Sequence, residues 1–357
     1  MSSAPERLFV TGIGMACPVG LDAASACAAQ RAGISALSEL PWFDNTGEPI
    51  VGAMVPGLDD GLTRGARLLE LSLLSISELS ARLGDVAWQK VPLLLCLAEP
   101  ERPGAQADNQ RLAQALVDQA QERLGMRFHP ELSRVFPGGH TAAFRALAHA
   151  RALMACGLAP ACLVCAVDSL LSAATLQWLG TNDRLKTELQ RDGLNPGEAA
   201  AAVLVEPQPR AGSCVEVLGL GFAAEEATVA SGRPQLGRGL ATAARAALDE
   251  AQCGLHEIDL RLSDVSGELH GFKELPLLQA RVMRVVRKAD QPLWHWAETI
   301  GDTGAAAGLA QLVLADQAFR KDYAPGPLAL GLGSAWHGDR AAAVLGRCGT
   351  GGGSHGL

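Results

Sequence analysis

The sequence predicts an α/β protein built from two similar units packed together, and three observations carry that expectation. Val10–Ala16 (VTGIGMA) returns as Val217–Ala223 (VLGLGFA), and other segments recur in the same order. Strand-like runs such as 161–167 lack polar alternation, the mark of strands covered on both faces. Between the halves lies Pro207-Gln208-Pro209-Arg210-Ala211-Gly212, whose prolines continue neither flanking strand. The bounds are 1–208 for the first half, 209–346 for the second, and a flexible glycine-rich tail over 347–357.

Each element follows from its pattern. After the opening strand, an amphipathic helix over 67–83 leads to a strand over 91–97, and the pair returns as 240–251 and 258–265. A helix over Asp108–Glu122 carries an apolar stripe at Leu112, Ala113, Leu116 and Ala120, and reads as an ordinary surface helix, with a partner groove as the alternative. Residues 134–139 form a short strand that breaks into Gly138 and Gly139 before an alanine-rich helix, His140 to Cys156, and a strand from Ala161. Their counterparts are 304–319 and 327–333. The closing strands, 199–206 and 340–346, also match.

At 357 residues, with 48% hydrophobic and 19% charged content, the chain can bury one large core or two fused ones. A net charge of −8 and the lack of a basic run argue against nucleic acid or an anionic membrane as partner. Residues 1–7 lack a basic leader region, and the apolar stretch after them is broken by Gly12, Gly14 and Pro18, so no signal peptide is read. No apolar run is long enough to span a bilayer, and a cytoplasmic location is expected. The nine cysteines read as free buried thiols. Cys162 and Cys165, three apart on a strand, face opposite ways and make no metal or redox pair. The glycine pairs at 12/14, 219/221 and 331/333 complete no dinucleotide fingerprint, and neither cofactor nor metal is expected.

The strand-to-helix elbow at Gly138-Gly139-His140 is where chemistry would be sought. Glycines permit the tight backbone that presents one side chain, and a helix N-terminus favours an anion such as a thiolate. The residue presented is a histidine.

The opening Phe9–Gly20 (FVTGIGMACPVG), Gly33-Ile34-Ser35, Arg191-Asp192-Gly193 with Gly197-Glu198-Ala199, and Gly301–Gly308 (GDTGAAAG) together resemble the thiolase superfamily, and within it the β-ketoacyl-ACP synthases. The likeness runs from about Leu8 to Gly346. It implies a thiolase-like fold, a duplicated five-layer αβαβα sandwich, and a strand-edge dimer. Members of that family use a cysteine and two histidines for condensation. By this resemblance the cysteine position falls on His140 and the histidine positions on Ser266 and Asp302. The supporting lysine falls on Ala297, and the threonines that greet a pantetheine arm fall near Glu268 and His270. The Glu99–Arg134 segment is shorter than its family counterpart, which builds the acyl pocket.

The resemblance therefore implies a catalytically inactive thiolase-fold protein that acts as an adaptor, chaperone or partner subunit. The reading preferred is an adaptor for a secreted effector of type VI secretion, because the short 99–134 segment makes a poor acyl-tunnel wall. The alternative is the inactive half of a β-ketoacyl synthase heterodimer, like a chain-length factor. The expected partners are a second thiolase-fold chain, as homodimer or heterodimer, a secreted effector, or an acyl carrier protein. A second alternative is a hydrolase in which a neutral His140 sits between Ser266 and Asp302 as general base. Two tryptophan and histidine clusters are also noted. Trp294-His295-Trp296 reads as a half-buried strand, and Trp336-His337-Gly338-Asp339 reads equally as the mouth of a pocket or a surface turn.

Overall fold

The computed structural model describes residues 7–58, 61–84, 86–287 and 289–349. Most of the glycine-rich tail, 350–357, lies outside the described residues. In chain order the elements of the first half are β1 (Leu8–Ala16), α1 (Ala23–Arg31), β2 (Ser38–Phe43), β3 (Pro49–Gly52), α2 (Arg64–Ala81), β4 (Leu93–Cys96), α3 (Ala105–Leu124), β5 (Arg134–Phe136), α4 (Ala142–Ala155), β6 (Cys162–Ser169), α5 (Ala173–Thr181) and β7 (Glu198–Glu206). The second half follows with β8 (Val215–Ala224), α6 (Arg238–Glu250), β9 (Leu260–Ser263), α7 (Leu269–Val282), β10 (Leu293–His295), α8 (Ala297–Ile300), α9 (Ala307–Arg320), β11 (Leu328–Ser334) and β12 (Asp339–Arg347).

Among the described residues the main sheet runs β10-β9-β11-β12-β8-β1-β7-β6-β4-β5. Its two wings repeat one topology. In the first, β5, β4 and β6 are parallel while β7 and β1 are antiparallel to their neighbours. In the second, β10, β9 and β11 are parallel, and β12 and β8 antiparallel. The wings meet where Leu8, Phe9 and Val10 pair with Val217, Glu216 and Val215.

The apolar residues sort into layers. One cluster joins β1, β6, β7 and β12 to α4 and α9, so these two helices lie between the wings. Every residue of α9 from Ala307 to Phe319 is buried, as a helix enclosed on all sides requires. A second cluster packs α2 and α3 on the outer face of the first wing, and a third packs α6 and α7 on the outer face of the second. The order α/β/α/β/α is thus five layers deep. Because β6 and β7 are covered on both sides, all eight residues of β6 are buried, and Cys162 and Cys165 fall in different clusters.

The α3 stripe is used internally. Leu112, Leu116 and Ala120 are buried against α2, and Asn109 Nδ2 donates to the Ala98 carbonyl at 2.8 Å. The partner-groove alternative for this face is therefore replaced by packing within the chain. Glu198 of the Gly197-Glu198-Ala199 motif also has a structural task. Its carboxylate accepts from Arg67 Nε and Nη2 at 2.7–2.9 Å, from the Val55 amide at 2.8 Å and from Ser169 Oγ at 3.0 Å, tying α2 to β7. Such a buried ion pair is stable only when its remaining lone pairs are satisfied, as they are here.

Candidate functional site

Two elbows face each other across the middle layer. Gly139 has φ +53° and leads through a single turn of 3₁₀ helix, Gly139–Thr141, into α4. Gly304 has φ +50° and leads through Gly304–Ala306 into α9. Each needs glycine twice over, for the left-handed backbone and for space. A Cβ at Gly139 would lie 2.5 Å from Glu99 Oε2, and one at Gly304 2.1 Å from Asp168 Oδ2. The positive φ thus sits one residue before His140, whose own backbone is ordinary.

This arrangement brings the three predicted positions together. His140, 2% exposed, and Asp302, 3% exposed, share a hydrogen bond of 2.9 Å between Nε2 and Oδ1. The Gly304 amide donates to the same oxygen at 2.8 Å, and Ser266 Oγ donates to Oδ2 at 2.8 Å. Asp302 is itself held by its backbone, donating to the Asn195 carbonyl and accepting from the Gly197 amide. Ser266 comes from the loop after β9, half-buried.

The order of the trio corrects the expectation. The aspartate lies between the histidine and the serine, and Ser266 donates to Asp302 rather than to His140. A serine nucleophile needs its proton taken by the imidazole, and the hydroxyl here is committed to a carboxylate. The expected neutral imidazole is corrected as well. Burial by itself would lower the His140 pKa, but the adjoining Asp302 carboxylate outweighs it, aided by Asp264 and Glu99, and raises the value to about 9. Burial would likewise raise Asp302, yet the imidazolium, the Gly304 amide and Ser266 hold it at about 2. His140 and Asp302 are therefore an ion pair at neutral pH. The positive end of the α4 dipole, which disfavours an imidazolium, contributes less than one carboxylate at hydrogen-bond distance.

More charge surrounds the pair than the motifs revealed. Arg102, buried in the turn that precedes α3, donates to Asp168 Oδ2 at 2.5 Å, and Arg64 Nη2 lies 3.3 Å from Oδ1. Asp168 also accepts from the Ala305 amide at 3.0 Å. Glu99 is 3% exposed and 3.7 Å from Arg102. Asp168 could have been found as a lone carboxylate ending the apolar run 161–167, whereas Glu99 and Arg102 lie in a polar turn that carries no such signal.

Trp336 closes the site from above. It stacks on Trp178 with ring centroids 5.4 Å apart, lies 5.7 Å from the His140 ring, and has the Arg184 guanidinium 4.2 Å over its face. Arg184 is clamped in turn by a two-pronged ion pair with Glu268 at 2.5 and 2.8 Å. Of the two readings of the 336–339 segment, the pocket wall holds for Trp336, while His337 is exposed beside Asp339 at 3.3 Å. Glu268 and His270 both line the cavity; His270 Nε2 lies 2.9 Å from Gln235 Nε2. Ala297 begins α8 and supplies no charge. In the other cluster, Trp294 and His295 stand half-buried on edge strand β10, and Trp296 is buried with Nε1 donating to Ala310. The space left among His140, Ser266, Asp302 and Trp336 is about 50 Å³, room for a few water molecules. Among the described residues no cluster of three or more His, Cys, Asp or Glu could hold a metal, and no helix is long and apolar enough to cross a membrane.

No protein-family model matches the sequence, and no curated protein matches it. The fold does find relatives among solved structures. The ishigamide ketosynthase/chain length factor superimposes with a TM-score of 0.76 at 17% identity, over 97% of this chain and 100% of that one. The chain has the ketosynthase fold. The ketosynthase ApeO in complex with its chain length factor ApeC from Xenorhabdus doucetiae aligns at TM-score 0.72 and 15% identity, over 98% and 100% of the two chains. A type II polyketide acyl-carrier protein in complex with its ketosynthase, bound to the hexaketide, aligns at TM-score 0.74 and 16% identity, over 96% and 99%. This is the thiolase-like architecture that the sequence resemblance implied. In the ketosynthase fold of this chain, the elbow, the loop after β9 and the Gly301 turn converge on one small buried ion pair.

Proposed function

We propose that this chain is a non-condensing ketosynthase-fold subunit that pairs with a second, catalytically complete ketosynthase. The observation that carries the reading is the His140–Asp302 ion pair inside a cavity of about 50 Å³. Condensation needs a thiolate to carry the acyl group and donors to stabilise the negative charge that builds on it. Here the presented side chain is a cation already neutralised by Asp302, whose carboxylate repels developing negative charge. Trp336 stands over the imidazole, with ring centroids 5.7 Å apart, and leaves little room beside it.

Solved neighbours that contain a ketosynthase together with its chain length factor support pairing with another chain of this fold. The adaptor for a secreted effector, which the sequence favoured, draws no support from them, and the heterodimer takes its place. The surface that fits is β5, the terminal strand of the first wing, with Arg134 exposed and Val135 and Phe136 half-buried. An edge strand offers unpaired amides and carbonyls to a like strand. An acyl carrier protein would then meet the pair rather than this chain alone. We read residues 1–208 and 209–346 as the two halves of the subunit, acting in the cytoplasm with its thiols reduced.

The test is co-expression with the ketosynthases of the native host, followed by size-exclusion chromatography with light scattering. A one-to-one complex lost on Phe136→Asp supports the reading. A chain that stays alone, or one that gains an acyl adduct by intact mass after incubation with acyl carrier protein thioesters, overturns it.

A further inference from the structure

Four arginines gather on the outer layer of the second wing. Arg238 and Arg245 of α6, Arg281 in the last turn of α7 and Arg284 just beyond it line a groove of about 480 Å³ with Ala241, Thr242 and Ala280. Two are held by backbone carbonyls: Arg245 Nη2 donates to Arg281 at 3.3 Å, and Arg281 Nε donates to Leu236 at 2.8 Å. Among the described residues none of the four forms a salt bridge, whereas Arg7, Arg64, Arg67, Arg102, Arg184, Arg287 and Arg340 each have a carboxylate partner. In a chain of net charge −8, positive charge concentrated without its own counter-charge is repulsive unless something else neutralises it. Reading for contiguous basic runs misses the cluster, because two separate helices assemble it.

A second observation selects the class of ligand. Leu236, whose carbonyl accepts from Arg281, and Val285 and Val286, which follow Arg284 in the chain, are 40%, 50% and 88% exposed. A free phosphate has no use for apolar contacts, and nucleic acid would be met by aromatic side chains, none of which lines this groove. We infer that the α6–α7 groove docks an acidic amphipathic helical segment of a partner protein, its carboxylates on the four guanidinium groups and its apolar side chains on Leu236, Val285 and Val286. The groove lies on the outer layer of the second wing, and none of the residues that line it also lines the His140 cavity.

The probe is a fluorescein-labelled peptide of about 18 residues, long enough for five helical turns, with glutamates on one face and leucines on the other. Fluorescence anisotropy with the full chain is expected to show saturable binding that weakens with salt. Arg238→Glu/Arg284→Glu should weaken it roughly tenfold or more, with thermal unfolding unchanged. Arg111→Glu, on the exposed face of α3, should leave it intact, and Val285→Asp/Val286→Asp should weaken it separately. Binding that is undetectable, or unchanged in the arginine variant, overturns the proposal. So does displacement of the peptide by equimolar inorganic pyrophosphate or a short DNA strand, which would make the groove a general anion site.

Discussion

His140 Nε2 lies 2.9 Å from Asp302 Oδ1, and both residues are almost fully withdrawn from water. At such a depth neither charge survives without the other, so the two positions behave as one unit. Ser266 and the Gly304 amide complete the carboxylate's hydrogen bonding and fix its orientation.

Removal of one partner leaves an uncompensated buried charge. His140→Ala is expected to cost about 3–5 kcal/mol of unfolding free energy. His140→Ala/Asp302→Asn should recover much of that loss, because the stranded carboxylate is gone. Urea unfolding of the single and double variants measures the coupling; additive losses would contradict the ion pair.

The pair has a pH window. His140, raised from 6.5 to about 9, contributes stability that is complete below pH 6.5 and fades as pH rises through 9. Asp302, lowered from 3.8 to about 2, contributes stability that is complete above pH 3.8 and fades as pH falls through 2. The stability difference between the native chain and His140→Gln/Asp302→Asn should therefore be widest between about pH 4 and 6.5. Titration of the His140 ring by NMR should show a midpoint well above that of an exposed histidine.

A cysteine placed at the elbow would be a poor nucleophile. In His140→Cys the Asp302 carboxylate opposes thiolate formation, while Asp302→Asn removes that opposition. Alkylation by iodoacetamide at pH 8 should be roughly tenfold faster in His140→Cys/Asp302→Asn than in the single variant. Equal rates would show that Asp302 does not control charge at the elbow.

Trp336→Ala should open the cavity toward solvent and loosen Arg184. The cost is expected below the ~3–5 kcal/mol of a fully buried tryptophan, since this ring is half-exposed. A small aromatic probe such as indole should then bind the variant and not the native chain, observed by ligand NMR.

Thiol accessibility tests the layering. Cys17, Cys27, Cys96, Cys162 and Cys165 are buried, and Cys156 is exposed. In the native state DTNB should react first with Cys156. Cys162 and Cys165 should react only on unfolding and should form no disulfide with each other, lying on opposite faces of β6.

The two packed α/β units were legible because they rest on local pattern, while the five-layer arrangement came from the family resemblance. Buried strands without alternation, the repeat of VTGIGMA as VLGLGFA, and the alanine-rich helices after each glycine turn all leave marks in the chain. The β2–β3 hairpin, α5 and α7 left weaker ones; α7 carries Gly271 and Pro276, which disguise its helical period. The same holds for the site, where His140, Ser266 and Asp302 are found from the motifs around them.

By itself, then, the sequence determined the alternation of strands and helices, its repetition and the elbow, and its resemblance to a family pointed to His140, Ser266 and Asp302. Only the tertiary structure decided how those residues are connected: that Asp302 stands between His140 and Ser266, that the imidazole is charged, and that Trp336, Arg184 and the Glu99–Arg102–Asp168 cluster enclose it. Hydrogen-bond order and pKa depend on distances of a few ångströms between groups 36 to 162 residues apart in the chain. No periodicity or motif encodes such distances, and the four arginines of the α6–α7 groove were hidden for the same reason.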